Sequence, residues 1–250
     1  MNRIRKFCIA LGLLSTASVA SAETVLVAVA ANFMAPMKRI AAAFERKTGH
    51  EVKASFGSTG KLYAQIENGA PFEALLATDE ATPKKVEAES IAVPGSRFTY
   101  AVGTPVLWSA KSDLVDDGGR VLKSGDFAKL AIANPRLAPY GAAAVETMTA
   151  LGVEKALEPK FVVGENIAQT FQFVDSGNAD LGFVALSQVM KKGEITKGSS
   201  WIVPAELHAP IRQDAVVLSK GKGRPGVAAL MELLKGNETR AIIRSFGYGV

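Results

Sequence analysis

Two consecutive units of strand, uncharged turn and helix near the N-terminus constrain the fold of this 250-residue chain more than any other feature. The first predicted strand spans residues 24–29 and leads into the turn 30–32 (AAN), and the second spans 52–56 and leads into 57–60 (GSTG). Apolar residues at helical spacing follow each turn, so each strand feeds the N-terminus of a helix. The free N–H groups and the positive dipole end of such a terminus hold an anion without a cationic side chain. Two such turns in succession predict an anion site.

The rest of the chain continues this alternation of strands and helices. We predict further strands at residues 74–77, 98–102, 106–109, 130–133, 161–163, 181–184 and 214–218. Helices are expected at 80–89, from 141 to 151, after an N-cap at Asn166, and twice more before the C-terminus, around 227–234 and 242–246. Repeated βα units favour parallel sheets with helices on both faces.

The first 22 residues have the pattern of a cleaved signal peptide. Three basic residues within positions 3–6 precede an apolar stretch at 9–14, and residues 20–22 (ASA) form an A-x-A cleavage signal. The alternative, a membrane anchor, is disfavoured because the apolar stretch is shorter than the ~20 residues that span a bilayer. The only cysteine, Cys8, lies inside this leader, so no lipid anchor is expected at the cleavage site. We therefore expect a soluble, exported protein.

The basic charge of the chain is largely that of the leader. The whole sequence has 29 Lys and Arg against 24 Asp and Glu, and removing residues 1–22 takes away three basic residues and no acidic ones. The remaining balance of 26 against 24 does not favour nucleic-acid binding. The mature 228 residues contain no cysteine, which excludes disulfides, and they are enough for two modest domains.

The motifs of the common enzyme classes are incomplete in this sequence. Residues 57–61 (GSTGK) resemble a P-loop, but Leu62 follows the lysine where a Ser or Thr is required. The same segment misses the G-x-S-x-G nucleophile elbow by one position. His50 and His208 are far apart, have no metal-ligand spacing and are interpreted as surface residues. We therefore predict no catalytic residue and no resident cofactor.

The candidate site residues also have simpler interpretations when each is taken alone. Ser58 and Thr59 would serve equally well to cap a helix, and Asn32 to close a turn. Tyr140 is as consistent with a core or rim position as with a ligand contact. Only the combination of these residues favours a binding site.

Seven short segments resemble periplasmic molybdate-binding proteins, and they occur in the order of that family across nearly the whole mature chain. The segments are 30–37 (AANFMAPM), 56–62 (FGSTGKL), 65–71 (QIENGAP), 131–135 (AIANP), 139–141 (PYG), 165–167 (ENI) and 180–184 (DLGFV). The closing residues 246–248 (FGY) are also similar. Each segment is weak alone, but seven in register are specific.

This resemblance implies a type II periplasmic binding protein fold, an α/β fold with two lobes, mainly parallel sheets and a hinge of two crossing strands. Lobe 1 would comprise residues 23–103 and 220–250, and lobe 2 would comprise residues 104–219. The oxyanion would lie in the cleft between the lobes. The protein would act in the periplasm, as a monomer, and deliver its ligand to the membrane permease of an ABC transporter.

The resemblance also implies a ligand shell. Carried over position by position, the shell consists of Asn32 and Thr59 from lobe 1 and of Tyr140 and the backbone N–H of Ile167 from lobe 2, with Ala31 and Ser58 beside them. One branch of the family has a tyrosine where this chain has Ala185, so the phenol would come from a different wall of the pocket. Molybdenum would be contacted only through the oxygens of the bound molybdate.

The chemistry of these loops suits a fully deprotonated tetrahedral dianion. Such an ion only accepts hydrogen bonds, so its site should supply donors and no carboxylate. Protonated phosphate would require an acceptor, and the smaller sulfate would leave donors of a rigid cage unpaired at ~1–3 kcal/mol each. Molybdate and tungstate are nearly equal in size, so both are expected ligands. The alternatives are a binding protein for sulfate, thiosulfate or a small organic anion, and an exported α/β enzyme.

Overall fold

The computed structural model describes residues 22–191 and 193–250. The predicted signal peptide, residues 1–22, lies outside the described residues except for its last position. Within the described ranges, no helix is both long enough and apolar enough to cross a bilayer.

Strands and helices alternate along most of the chain. The strands are β1 (Thr24–Ala30), β2 (Glu51–Gly57), β3 (Ala74–Leu76), β4 (Phe98–Gly103), β5 (Pro105–Ser109), β6 (Leu130–Ala133), β7 (Phe161–Gly164), β8 (Leu181–Ala185), β9 (Met190–Lys191), β10 (Glu194–Ile195), β11 (Ser199–Ile202) and β12 (Ile211–Val217). The helices are α1 (Met34–Thr48), α2 (Thr59–Glu67), α3 (Ala81–Ala88), α4 (Val121–Ser124), α5 (Pro139–Ala150), α6 (Glu154–Leu157), α7 (Ile167–Asp175), α8 (Leu186–Val189), α9 (Pro225–Lys235) and α10 (Asn237–Arg244). A 3-10 turn, Ala31–Phe33, precedes α1.

Two five-stranded sheets organise the molecule into an α/β fold with two lobes. The first sheet has the order β2-β1-β3-β12-β4, and the second has the order β11-β5-β8-β6-β7. The predicted strands and the longer predicted helices are present with ends shifted by a few residues. The short elements α4, α6, α8, β9, β10 and β11 were not predicted, because four residues or fewer carry too little periodicity.

Both sheets are mixed, so the prediction of mainly parallel sheets is wrong in part. The pairs β1–β2, β1–β3, β6–β7 and β6–β8 are parallel, as the βα units require. The pairs β12–β3, β12–β4, β11–β5 and β5–β8 are antiparallel. The antiparallel pairs arise where the chain passes from one sheet to the other, since each crossing strand enters a sheet against the direction of its neighbours.

The chain crosses between the sheets twice. The first crossing is at Thr104, between β4 and β5, and the second is the segment 203–210, between β11 and β12. The predicted lobe 2, residues 104–219, therefore extends too far, because β12 hydrogen-bonds β3 and β4 in the first sheet. The pattern of a buried strand does not reveal which of two sheets it joins.

Each sheet carries a separate hydrophobic core. On the first, Met37, Ile40 and Phe44 form one fully buried stripe of α1, at the spacing of an amphipathic helix. On the second, Leu130 and Phe183 are buried beneath the helices that follow their strands. The two cores fix the two sheets as separate packed units, and the ends of their strands face each other between them.

His50 does not lie on the surface as predicted. It is buried after the end of α1, where its Nδ1 accepts a hydrogen bond of 3.0 Å from the backbone N–H of Glu23. The imidazole thus anchors the start of the mature chain to the first sheet, a role that needs a long-range partner and leaves no local sequence pattern.

Candidate functional site

Four helical N-termini meet at one small cavity between the two sheets. The 3-10 turn before α1 and the start of α2 come from the first sheet, and the starts of α5 and α7 come from the second. The cavity encloses about 200 Å³ and is lined by Ala31, Asn32, Gly57, Ser58, Thr59, Thr78, Ala138, Pro139, Tyr140, Asn166 and Ile167. First-turn N–H groups have no acceptor within their own helix, so four partial positive charges point toward this region.

The structure brings together all six residues carried over from the family resemblance. Ala31, Asn32, Ser58 and Thr59 line one wall, and Tyr140 and Ile167 line the other. Sequence reasoning missed Thr78 as a lining residue. Thr78 directly follows the predicted strand 74–77, so the rule that ligands bind beyond the carboxyl ends of strands would have indicated it.

No charged side chain lines the cavity. The nearest lysine in the GSTGK segment, Lys61, instead forms an ion pair of 2.6 Å with Glu165 across the mouth of the cleft, and both side chains are about half exposed. A second contact beside it joins the two sheets' units, where Gly60 N–H donates to the Leu137 carbonyl at 3.0 Å. The cavity therefore offers an anion hydrogen-bond donors rather than a counterion.

The side-chain amide of Asn32 is occupied by protein partners. Its Nδ2 donates to Gln213 Oε1 at 2.8 Å and to the Tyr248 hydroxyl at 3.0 Å, and its Oδ1 accepts from Thr78 Oγ1 at 2.8 Å. Both amide hydrogens are therefore used, and the group available to a ligand is the backbone N–H at the start of the 3-10 turn. This arrangement depends on partners more than 180 residues away and could not be anticipated from the turn sequence.

Ser58 and Thr59 differ in whether their hydroxyl groups are already paired. Thr59 Oγ1 accepts a hydrogen bond of 3.0 Å from the backbone N–H of Thr78 and keeps its own hydrogen. Ser58 Oγ is buried and, in the part of the chain that the structure describes, has no hydrogen-bond partner. A buried hydroxyl without a partner carries a free-energy cost that a bound acceptor would remove. Ser58, expected only as a secondary contact, is thus at least as well suited as Thr59.

Tyr140 presents two different donors. Its backbone N–H belongs to the first turn of α5, at the cavity, whereas its hydroxyl lies beside Gly103 at the end of β4. Burial raises the pKa of the hydroxyl well above its ordinary value, while the amide of Gln213 and the backbone N–H of Thr104 act in the opposite direction. The phenol therefore stays protonated, and no hydrogen-bond partner for it is found among the described residues.

Asn166 prepares the N-terminus of α7 for a ligand. Its side-chain oxygen accepts hydrogen bonds from the N–H groups of Ala168 and Gln169, at 3.0 and 3.1 Å, as predicted for an N-cap. The cap satisfies these two donors and leaves the N–H of Ile167 available at the cavity.

A resident metal site is not indicated by the described residues, which contain no group of three or more His, Cys, Asp or Glu placed to hold a metal ion. The donor set at the cavity is suited instead to an anion, because it consists of N–H and O–H groups without a carboxylate.

Two lobes joined by two crossings, with a neutral cavity of donors between them, define a solute-binding protein. A family model described as bacterial extracellular solute-binding protein matches residues 25–249, and the chain belongs to this family.

Within that family, this chain is a homologue of the ModA proteins. A molybdate-binding protein ModA of Azotobacter vinelandii is 56% identical over 247 residues, covering 99% of this chain and 98% of that protein. A ModA of Rhodobacter capsulatus is 52% identical over 229 residues, covering 92% and 89%. The solved structure of an Azotobacter vinelandii periplasmic molybdate-binding protein superposes with a TM-score of 0.86 at 41% identity, covering 90% of this chain and 99% of that one.

Proposed function

We propose that this protein captures molybdate, and tungstate as well, in the cavity between its two lobes and delivers it to the permease of an ABC transporter. The observation that carries the proposal is the meeting of four helical N-termini from two lobes at a cavity without a charged side chain. The names of the relatives supply the identity of the anion.

The proposed ligand shell combines backbone and hydroxyl donors. Asn32, Tyr140 and Ile167 would donate through their backbone N–H groups, and Ser58 and Thr59 through their hydroxyls, with Ala31 beside them. A fully deprotonated oxyanion accepts from all of these and requires no acceptor in return. Because the donors come from both lobes, the anion would favour the form in which the lobes are closed.

The wider biological role follows from the same reasoning. We propose a periplasmic protein, exported by the leader 1–22, that acts as a monomer and has no catalytic activity. The name of the similar solved structure, a periplasmic protein, supports the location. Molybdenum would meet the protein only through the oxygens of the oxyanion.

Thermal unfolding with parallel anions tests the proposal. A ligand at 100 times its dissociation constant stabilises the folded state by ~2.7 kcal/mol. For a protein of this size, at roughly 2–4 °C per kcal/mol, the midpoint should rise by about 5–11 °C with molybdate or tungstate. Sulfate and phosphate at the same concentration should produce a much smaller shift. A clear rise with sulfate and none with molybdate or tungstate would assign the protein to a different oxyanion.

A further inference from the structure

A buried glutamine on the second crossing strand contacts both walls of the cavity. Gln213 lies in β12 and is completely buried. Its Oε1 accepts hydrogen bonds from Asn32 Nδ2 at 2.8 Å and from the Tyr100 hydroxyl at 3.1 Å. Its Nε2 lies beside the Tyr140 hydroxyl, and both atoms lack a partner that meets hydrogen-bond geometry among the described residues.

The backbone around Gln213 is irregular in a way that serves this position. The register between β12 and β4 shifts between Gln213 and Asp214, which pair with Ala101 and Thr99, so that Tyr100 is the extra residue of a β-bulge. Bulges re-aim side chains and are frequent beside functional sites. Here the bulge accompanies the contact of Tyr100 with Gln213 Oε1.

A glycine makes the close approach possible. A methyl group on Gly103 would overlap both the Tyr140 hydroxyl and Gln213 Nε2. The last residue of β4 is thus the floor on which the side chains from the two walls meet. Thr104, the next residue, is the first crossing between the sheets, so this meeting point lies at the hinge.

We infer that Gln213 is a positioning residue that sets the spacing between the two walls of the anion site. Through Asn32 it fixes the start of α1, and through Tyr140 it fixes the start of α5. It does not touch the anion itself. The inference rests on the proposed function, because the spacing matters only for a ligand gripped by both walls, and a preorganised spacing reduces the cost of ordering the donors on binding.

A double-mutant cycle on molybdate binding tests this inference. Gln213→Met removes both polar contacts and keeps an unbranched side chain of similar length, and Tyr140→Phe removes the hydroxyl from the opposite side. Each variant should weaken molybdate binding by about three- to tenfold, the range for one hydrogen bond. Because both variants break the same link, the double variant should bind about as weakly as either single one.

Selectivity separates positioning from a merely structural role. If Gln213 sets the wall spacing, Gln213→Met should lower the ratio of molybdate to sulfate affinity, since a loosened cage discriminates less by size. Ser109→Ala is the control, because Ser109 is a fully buried hydroxyl on the second sheet, bonded to the Asp180 carbonyl and remote from the cavity lining. It should lower the unfolding free energy and leave both the affinity and the ratio unchanged.

The outcomes distinguish this inference from the proposed function. Wild-type protein that binds sulfate but not molybdate overturns the function, and the cycle is then read with sulfate. Unchanged affinity in Gln213→Met, losses that multiply in the double variant, or an unchanged anion ratio would each overturn the inference. If Gln213→Met fails to fold, Tyr140→Phe carries the affinity and ratio tests alone, because it removes the same contact.

Discussion

At the scale of single residues, the side chains around the cavity differ in whether their polar groups are already paired. The Asn32 amide is consumed by its protein partners, Thr59 is half engaged, and the Ser58 hydroxyl is buried and unpaired among the described residues. The same loop therefore contains one residue that shapes the site and another whose donor is unused. Ser58→Ala and Thr59→Val separate these roles.

Ser58→Ala should weaken molybdate binding by ~1.5–3 kcal/mol, the range for a hydrogen bond to a charged group, and leave the unfolding free energy nearly unchanged. Thr59→Val should weaken binding too, but it also deprives the buried Thr78 N–H of its acceptor and should lower the unfolding free energy by ~1–3 kcal/mol. Urea unfolding without ligand and calorimetric titration measure the two effects. Wild-type affinity in Ser58→Ala would remove this hydroxyl from the ligand shell.

At the scale of elements, the N-terminus of α7 shows how a cap can serve a site. Asn166→Ala removes the acceptor of two first-turn N–H groups and should cost ~0.5–2 kcal/mol of unfolding free energy. Molybdate affinity should fall as well, because the N–H of Ile167 is then carried by a frayed turn.

Asn178→Ala is the matched control for this prediction. Asn178 is exposed just beyond the end of α7, and its amide donates only to the Ser176 hydroxyl among the described residues. Its replacement should change the unfolding free energy by no more than ~0.5 kcal/mol and leave binding intact. Equal effects of the two substitutions would show that the cap has no special role.

The sequence predicted most elements because their causes are local. β-branched runs specified the strands, apolar spacing specified α1, and Asn166 marked the start of α7. What could not be predicted depends on distant partners, such as the burial of His50, the placement of β12 in the first sheet and the engagement of Asn32 by Gln213. Hydrogen bonds across 181 residues leave no pattern in a window of ten.

At the scale of the whole molecule, the site is neutral although the chain carries many charges. The cation nearest the cleft, Lys61, is paired with Glu165 at the mouth, half exposed to solvent. Screening acts mainly on exposed charges, so molybdate affinity should change little between about 20 mM and about 500 mM salt.

Lys61→Met provides the control for this salt dependence. It removes the exposed pair at the mouth, which is worth only ~0–1 kcal/mol, and should leave the equilibrium affinity within about fivefold of wild type. A steep fall in wild-type affinity with salt, abolished by Lys61→Met, would instead place a cation in contact with the anion.

The central claim is that uncharged donors from both lobes hold one oxyanion between them. Anomalous diffraction at the molybdenum absorption edge, from crystals grown with molybdate, locates the metal directly. We expect one strong peak within the cavity, with its oxygens within hydrogen-bond distance of Asn32, Ser58, Tyr140 and Ile167 and of no Lys or Arg. A peak outside this cavity, or one contacted by donors of a single lobe or by Lys61, would contradict the account.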